Sequence, residues 1–488
     1  MKTYKIKFLY HYKCGPVCSE FFATKFHETK LRDSIRIIFM GMILISLLCT
    51  SCKKFLDQTP DPKLVELKTL PDLQALLDDS NIMNLNTPGL GEVSCDDHFV
   101  TTDTYNSTTK PEYKLPYTWE LEEYLFDVRN DWSVGYNAIF NANYALDYLQ
   151  KIPQDSRNSL DWNNIKGSAL FYKAYWYLNL LWVFSNSYDA ATAQNDLGVV
   201  LRESADPTIP SKRSSVKLCY DKIIADLNVA IELLPDYPRY VTRPSKCAAY
   251  ALLARTYLSM REYTNALKYA DMSLKMKNDL VNYNDPSQVS TSSFFPFRPF
   301  NKEIIFFSSQ GQQVLKSSLQ ALTDTLLYTS YRNEDIRKRA FFLPFGGYTT
   351  FKGNYNSNNF HSLFTGITTA EMFLIRSECY AREGKLLESM DDLTLLLKSR
   401  LETGSSVGFF PSDKEAAIDI VLKERRKELV KRGIRWPDIK RLNKEGRNIV
   451  LKRIVAGKVY TLEPNSPKYA LPLPKDIVNF TGIPQNPR

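Results

Sequence analysis

Apolar residues recur at three- and four-residue spacing through most of the chain, the pattern of helices with one buried stripe. The spacing predicts helices over 64–77, with Pro71 in the first turn, and over 131–151, where DWSVGYNAIFNANYALDYLQK runs into Pro153. Further helices are predicted over 164–184, 214–234, 245–260, 262–276, 369–383, 385–400 and 413–431, the last stopping at Gly433. Trp176 and Trp182 fall at helical spacing among Phe171, Tyr175 and Leu178, which makes them core residues. The expected fold is therefore mostly α.

Two of the predicted pairs, 245–276 and 369–400, superpose as sequence at a constant offset of 123. Ala254 then matches Ser377, Tyr257 matches Tyr380, Tyr263 matches Leu386 and Ala266 matches Ser389. A small residue on each helix of a pair lets the two backbones approach closely, which is what a tetratricopeptide-like hairpin requires. Two stretches break the helical period. Residues 78–129 and 277–368 are long, polar and rich in aromatics, a composition that suits function better than disorder, and Glu303–Phe307 within the second reads as a strand.

Near the N-terminus, the apolar run Ile37–Leu48 is 12 residues long, the length of a secretory h-region and short of the ~20 that span a bilayer. It closes on Cys49-Thr50-Ser51-Cys52 and turns polar at Lys53-Lys54. Small residues just before a cysteine suit a lipoprotein signal peptidase, so residues 1–51 are expected to be a signal peptide, Cys52 the lipidated residue and 52–63 a tether. The bland alternatives are an ordinary signal peptide with a chance cysteine, or a short anchor. The remaining chain, 64–488, is expected to be a single domain. Cys14, Cys18 and His11 lie in the leader and are set aside as coincidence.

Composition removes several function classes. The formal charge of +9 owes five of its units to residues 1–51, and the remaining Lys and Arg are scattered among acids rather than gathered in a stripe for nucleic acid. Beyond Cys52 only Cys95, Cys219, Cys247 and Cys379 follow, far apart and without metal spacing, so neither a disulfide framework nor a metal site is expected. Histidine is scarce there too: His98 and His361. No cofactor and no catalytic residue is assigned.

Candidate ligand contacts come from the two irregular stretches. Sugars present apolar C–H faces and hydroxyl edges, which aromatic rings and Asp, Asn or Arg match. On that basis the candidates are Asp96, Asp97, Tyr113, Tyr117 and Trp119 in the first stretch, with Phe297, Arg298, Tyr348, Tyr355 and Asn356 in the second. Asp96-Asp97 and Asp391-Asp392 are poor glycosidase pairs, because adjacent residues cannot flank a bond with carboxyls ~5 Å or more apart.

Ordered motifs give a resemblance. Cys52 is followed by Phe55-Leu56-Asp57 and Pro60; Glu424-Arg425-Arg426, Glu428-Leu429, Gly433, Arg435-Trp436 and Asp438 follow far downstream; Pro472-Leu473-Pro474 and Gln485-Asn486-Pro487 close the chain. In this order the chain resembles the SusD/RagB family of surface lipoproteins, from which it departs at Arg432, Pro437 and Arg488. The resemblance implies four tetratricopeptide-like hairpins around an irregular ligand-binding region, and a lipid anchor in the outer membrane with the protein facing the cell exterior. It also implies a TonB-dependent β-barrel of the SusC type as partner, and an oligosaccharide or peptide as cargo. Alternatives from other classes are a surface glycoside hydrolase and a periplasm-facing scaffold. Glu424, Arg425 and Glu428 lie within one helical turn, so the motif is read as structural charge pairing along one helix face, with Arg426, Arg435, Trp436 and Asp438 as its companions.

Overall fold

A computed structural model describes residues 68–122, 130–311, 320–356 and 362–488. The signal peptide, Cys52, the tether and His361 lie outside the described residues.

Thr69 opens the first described helix, α1 (Leu70–Leu77), with a capping box to Asp72 and Pro71 in the first turn. The stretch 78–129, read from sequence as irregular, holds four short helices and a strand: α2 (Ser80–Met83), α3 (Leu90–Ser94), β1 (His98–Phe99), α4 (Thr102–Ser107) and α5 (Pro111–Thr118). Each is six residues or fewer, apart from α5 at eight, too short for a 3.6-residue period to show.

The helical body follows. Asn130 caps α6 (Asp131–Leu149) through a capping box with Ser133. Its partner α7 (Ser159–Phe184) starts five residues before the predicted boundary and is buried nearly all round, with Trp176 wholly enclosed and Trp182 almost so. A helix apolar on every side belongs at the centre of a helical stack, and α6 and α8 (Val216–Leu233) pack on either side of it. Strands β2 (Leu197–Val200) and β3 (Arg213–Ser215) pair between α7 and α8.

The two predicted hairpins form as α9 (Lys246–Met260) with α10 (Tyr263–Met276), and α13 (Thr369–Arg382) with α14 (Leu386–Lys398). Their small residues sit where the helices meet. Ser377 Oγ donates to the Ser389 carbonyl at 2.7 Å and Ser389 Oγ to the Ser377 carbonyl at 2.8 Å, while Ala254 and Ala266 are fully buried. Helix α15 (Lys414–Glu428) packs on α13, and α16 (Arg435–Asn443) ends the C-terminal motif. A hairpin of β9 (Leu451–Val455) and β10 (Lys458–Leu462), then α17 (Lys475–Thr481), complete the chain.

Between α10 and α13 the insertion is built of short strands and turns. Strand β4 (Ile304–Phe306) pairs with β8 (Ile367–Thr368) directly before α13, and Phe306 packs among Phe171, Tyr172 and Tyr175 of α7 at ring-centroid distances of 4.9 to 6.1 Å. That contact docks the insertion onto the helical body. The rest of it includes β5 (Leu322–Thr323), α11 (Thr325–Thr329), α12 (Arg337–Phe341), β6 (Phe342–Phe345) and β7 (Tyr348–Phe351).

Candidate functional site

The two aromatic-rich stretches, distant in sequence, meet in one antiparallel sheet of order β1-β5-β7-β6. His98 and Phe99 of the first pair with Thr323 and Leu322 of the second, and Leu322 pairs with Thr350. Phe345-Gly346-Gly347-Tyr348 closes β6 onto β7: both glycines have positive φ (56° and 81°), which a two-residue hairpin turn of this hand requires. Phe345 and Tyr348 are directly opposed and therefore share a face. They are 42% and 47% exposed, and Tyr348 meets Phe99 edge-on at 5.2 Å. The sheet thus presents Phe345 and Tyr348 at the surface, with the half-buried Phe99 against Tyr348.

Of the ten residues singled out from sequence, Tyr348 lies in this group. Tyr113 is half-buried on α5 with the Lys110 ammonium 5.7 Å from its ring, and Arg298 is exposed beside a cavity of about 320 Å³ bounded by Phe295, Pro296 and Pro299. Asn356 is half-buried, its side-chain amide donating to the Ser362 carbonyl at 3.1 Å. Four aromatics take a different place from the expected one: Tyr117, Trp119, Phe297 and Tyr355 are 1 to 3% exposed and belong to the core. Trp119 donates from its indole N–H to the Ser94 carbonyl at 3.0 Å, and the Arg453 guanidinium lies 4.4 Å from the Tyr117 ring. Phe297 and Tyr355 pack on each other at 4.6 Å. For Tyr117 and Trp119 the loop sequence does not reveal that the rings face inward, because Arg453, which lies over both, is hundreds of residues downstream.

Asp96 and Asp97 are likewise taken up by the protein itself. Arg435 holds Asp96 in a two-bond fork at 2.7 and 2.9 Å, and Arg426 Nε donates to Asp97 Oδ1 at 3.0 Å. Burial opposes ionisation of Asp96, but Arg435 and then Arg426 override it and hold the carboxyl well below its ordinary range. Asp97 is pushed up, because its deeper burial outweighs Arg426 and Asp96 adds a second negative charge. These salt bridges tie the C-terminal motif to β1.

The charged residues of the motif pair mainly with other elements rather than along one helix face. Arg425 pairs with Asp438 (2.8 Å), Glu424 with Arg337 (2.7 Å), and Glu428 with both Arg400 (2.7 Å) and Arg337 (3.1 Å). Arg400 also reaches Glu303 at 2.7 Å, and Arg441 joins Asp438 to Glu378 at 2.8 and 2.6 Å. Trp436 is buried against Tyr469 at 4.8 Å. Gly433, at φ 74°, stands where an added Cβ would come within 2.9 Å of Gln310 and Thr365. The charges join α12, α13, α15, α16, the turn after α14 that carries Arg400, and the insertion into one buried lattice.

One consequence is acid sensitivity. Burial alone would raise Glu378, but Arg441 and Arg382 outweigh it and hold the carboxyl at about 2 against an ordinary 4.5. A depressed carboxylate stabilises the folded state fully above its ordinary value, and that contribution is lost as pH falls towards 2; here it amounts to about 3 kcal/mol. Glu378→Gln is expected to lower the melting temperature at pH 7 and to flatten its fall between pH 5 and 3. Melts at pH 7, 5 and 3 measure both; an unchanged slope would contradict the assignment.

Glu92, Cys95 and His98 are all buried, and their ligand atoms lie within 4.8 Å of one another, the one group of metal-ligating types that converges among the described residues. The Lys431 ammonium stands 3.5 Å from Glu92 Oε1, balancing its charge, and burial pushes the Cys95 thiol well up. The four cysteines from Cys95 onward are buried free thiols. No helix of the described residues is long and apolar enough to cross a membrane.

Residues 54–258 match the SusD-like family model described as "Starch-binding associating with outer membrane". SusD-like protein P2 of Formosa agariphila is 28% identical over 167 residues, 33% of this chain and 31% of that protein, so the match spans about a third of the relative's length. Among solved structures, a SusD superfamily protein from Bacteroides thetaiotaomicron superposes with a TM-score of 0.70 at 21% identity, covering 86% of this chain and all of the other. Surface glycan-binding protein A from Bacteroides uniformis gives 0.64 at 16% identity, covering 86% and 99%. At these identities the structural likeness establishes the fold.

Proposed function

The chain belongs to the SusD/RagB family, and from that premise we propose that it is a lipid-anchored protein of the outer-membrane surface that captures oligosaccharides and delivers them to a TonB-dependent β-barrel. The observation that carries the binding part is the sheet that unites the two irregular stretches and exposes Phe345 and Tyr348, with the half-buried Phe99 against Tyr348. Flat rings in this arrangement stack on the apolar faces of sugar rings, and Asn356, Arg298 and Tyr113 supply hydrogen-bonding groups on the same two stretches. The family description names starch and the outer membrane, and one structural relative is named for surface glycan binding; both support a carbohydrate as cargo. The relatives are described as binding proteins, which supports capture without chemistry.

Anchoring rests on Cys52, and the partner on the family. Cells grown with labelled palmitate are expected to label the wild type and not Cys52→Ala. Protease added to intact cells is expected to cleave the chain, and mild detergent extraction to recover it with a β-barrel transporter. Resistance to protease in intact cells, with no barrel recovered, would favour a periplasm-facing scaffold instead.

A further inference from the structure

At α11 lies a cavity of about 360 Å³, within the range of small-molecule sites. One wall comes from Leu326 and Leu327 of α11, the helix that follows β5 directly, and Thr323 of β5 pairs with His98 next to Phe99. The cavity therefore adjoins the strand that joins the two halves of the aromatic site. Leu397 and Phe409 add further apolar surface.

Its charges do not balance. The two acids in the lining, Asp335 and Glu424, are both engaged by Arg337 at 2.7 Å, and Glu424 also pairs with Lys427. Arg426 is engaged by Asp97. That leaves Arg332 and Lys423. Both are exposed lining residues, and among the described residues neither has a carboxylate partner. The Arg332 guanidinium makes a single hydrogen bond, from Nη2 to the Ser406 carbonyl at 3.2 Å, which leaves most of its donor fork open. Burial, with Arg337 as the next cause, pushes the neighbouring Lys427 ammonium down, and Glu424 and Asp335 oppose that shift.

We propose that this cavity binds an anionic group of the glycan, a carboxylate or sulfate, so that the preferred cargo is an acidic oligosaccharide rather than a neutral one. Apolar walls accept the sugar ring while Arg332 and Lys423 take the charge, with the guanidinium fork suited to two-oxygen recognition. The inference rests on the carbohydrate-binding function proposed above and adds the class of sugar.

Titration of the full chain with oligosaccharides of equal length tests it in three arms: a polyuronate, a sulfated galactan and a neutral glucan. One acidic arm is expected to bind about tenfold or more tighter than the neutral one, with the advantage shrinking as salt rises. Which acidic arm wins distinguishes carboxylate from sulfate. The double variant Arg332→Ala/Lys423→Ala changes only exposed side chains; it is expected to erase the acidic preference and leave neutral binding unchanged. Equal affinity in all arms, or an acidic preference that survives the double variant, would overturn the inference. Neutral glucan bound and lost on Tyr348→Ala, with no acidic preference, would remove the inference and leave the proposed function standing. No saccharide bound in any arm would remove both.

Discussion

Arg400→Met is expected to destabilise the protein by about 3–5 kcal/mol, the range found when one partner of a buried ion pair is removed. Arg400 is fully buried and is the joint of the charged lattice: it donates to Glu428 at 2.7 and 3.0 Å, to Glu303 at 2.7 Å and to the Val281 carbonyl at 2.8 Å. Methionine fills much of the volume but returns none of these bonds. Glu303 keeps Tyr355 Oη at 2.9 Å and the Val281 N–H at 2.7 Å, yet no cation, and a lone buried carboxylate is costly. For a chain of this length the loss corresponds to a melting temperature lower by about 3–5 °C. An exposed pair provides the contrast: Arg157 and Asp155, with side chains 89% and 42% exposed, should change stability by about 0.5 kcal/mol or less when Arg157 becomes Ala. Calorimetry on both variants decides whether burial, rather than the mere count of salt bridges, carries the stability.

The second large effect concerns ligand. Phe345→Ala/Tyr348→Ala removes two rings at the exposed tip of β6–β7, so stability should shift by about 0.5 kcal/mol or less while affinity for oligosaccharide falls. Each stacked ring is worth about 1 kcal/mol beyond its area, so the double variant should weaken binding at least about tenfold. Trp119→Ala should do the reverse. Its ring is buried and its indole bonded to Ser94, so truncation is expected to cost about 3–5 kcal/mol while folded molecules retain their affinity. Melting and binding measured on the two variants separate rings that hold the protein together from rings that touch cargo.

What was legible in the sequence follows from range. The long helices α6 to α10 and α13 to α15 carry enough turns for their period to show, and the recurrence of Ala254, Ala266, Ser377 and Ser389 marks both hairpins in the sequence. Helix α16 went unseen because it is nine residues long and rich in charge, and its ionic partners lie far away in the chain. The site was legible only in outline. Asp96, Tyr117 and Trp119 have the chemistry of ligand contacts, but Arg435 lies 339 residues from Asp96 and Arg453 closes over the two rings, neither of which a local reading reveals. Phe345 carried a signal that was available: a Gly-Gly pair between aromatics marks a tight hairpin whose flanking residues face the same way. Phe99 carried none, since a two-residue strand has no period.

The central claim is that the sheet joining the two irregular stretches is where cargo sits, and that it is bound unchanged. Titration of oligosaccharide into the wild type and Tyr348→Ala, with the glycan recovered and sized afterwards, addresses both parts. Saturable binding by the wild type, affinity about fivefold weaker in the variant, and glycan recovered at its original length are expected. Equal affinity in the two proteins, or glycan shortened by the wild type, would contradict it.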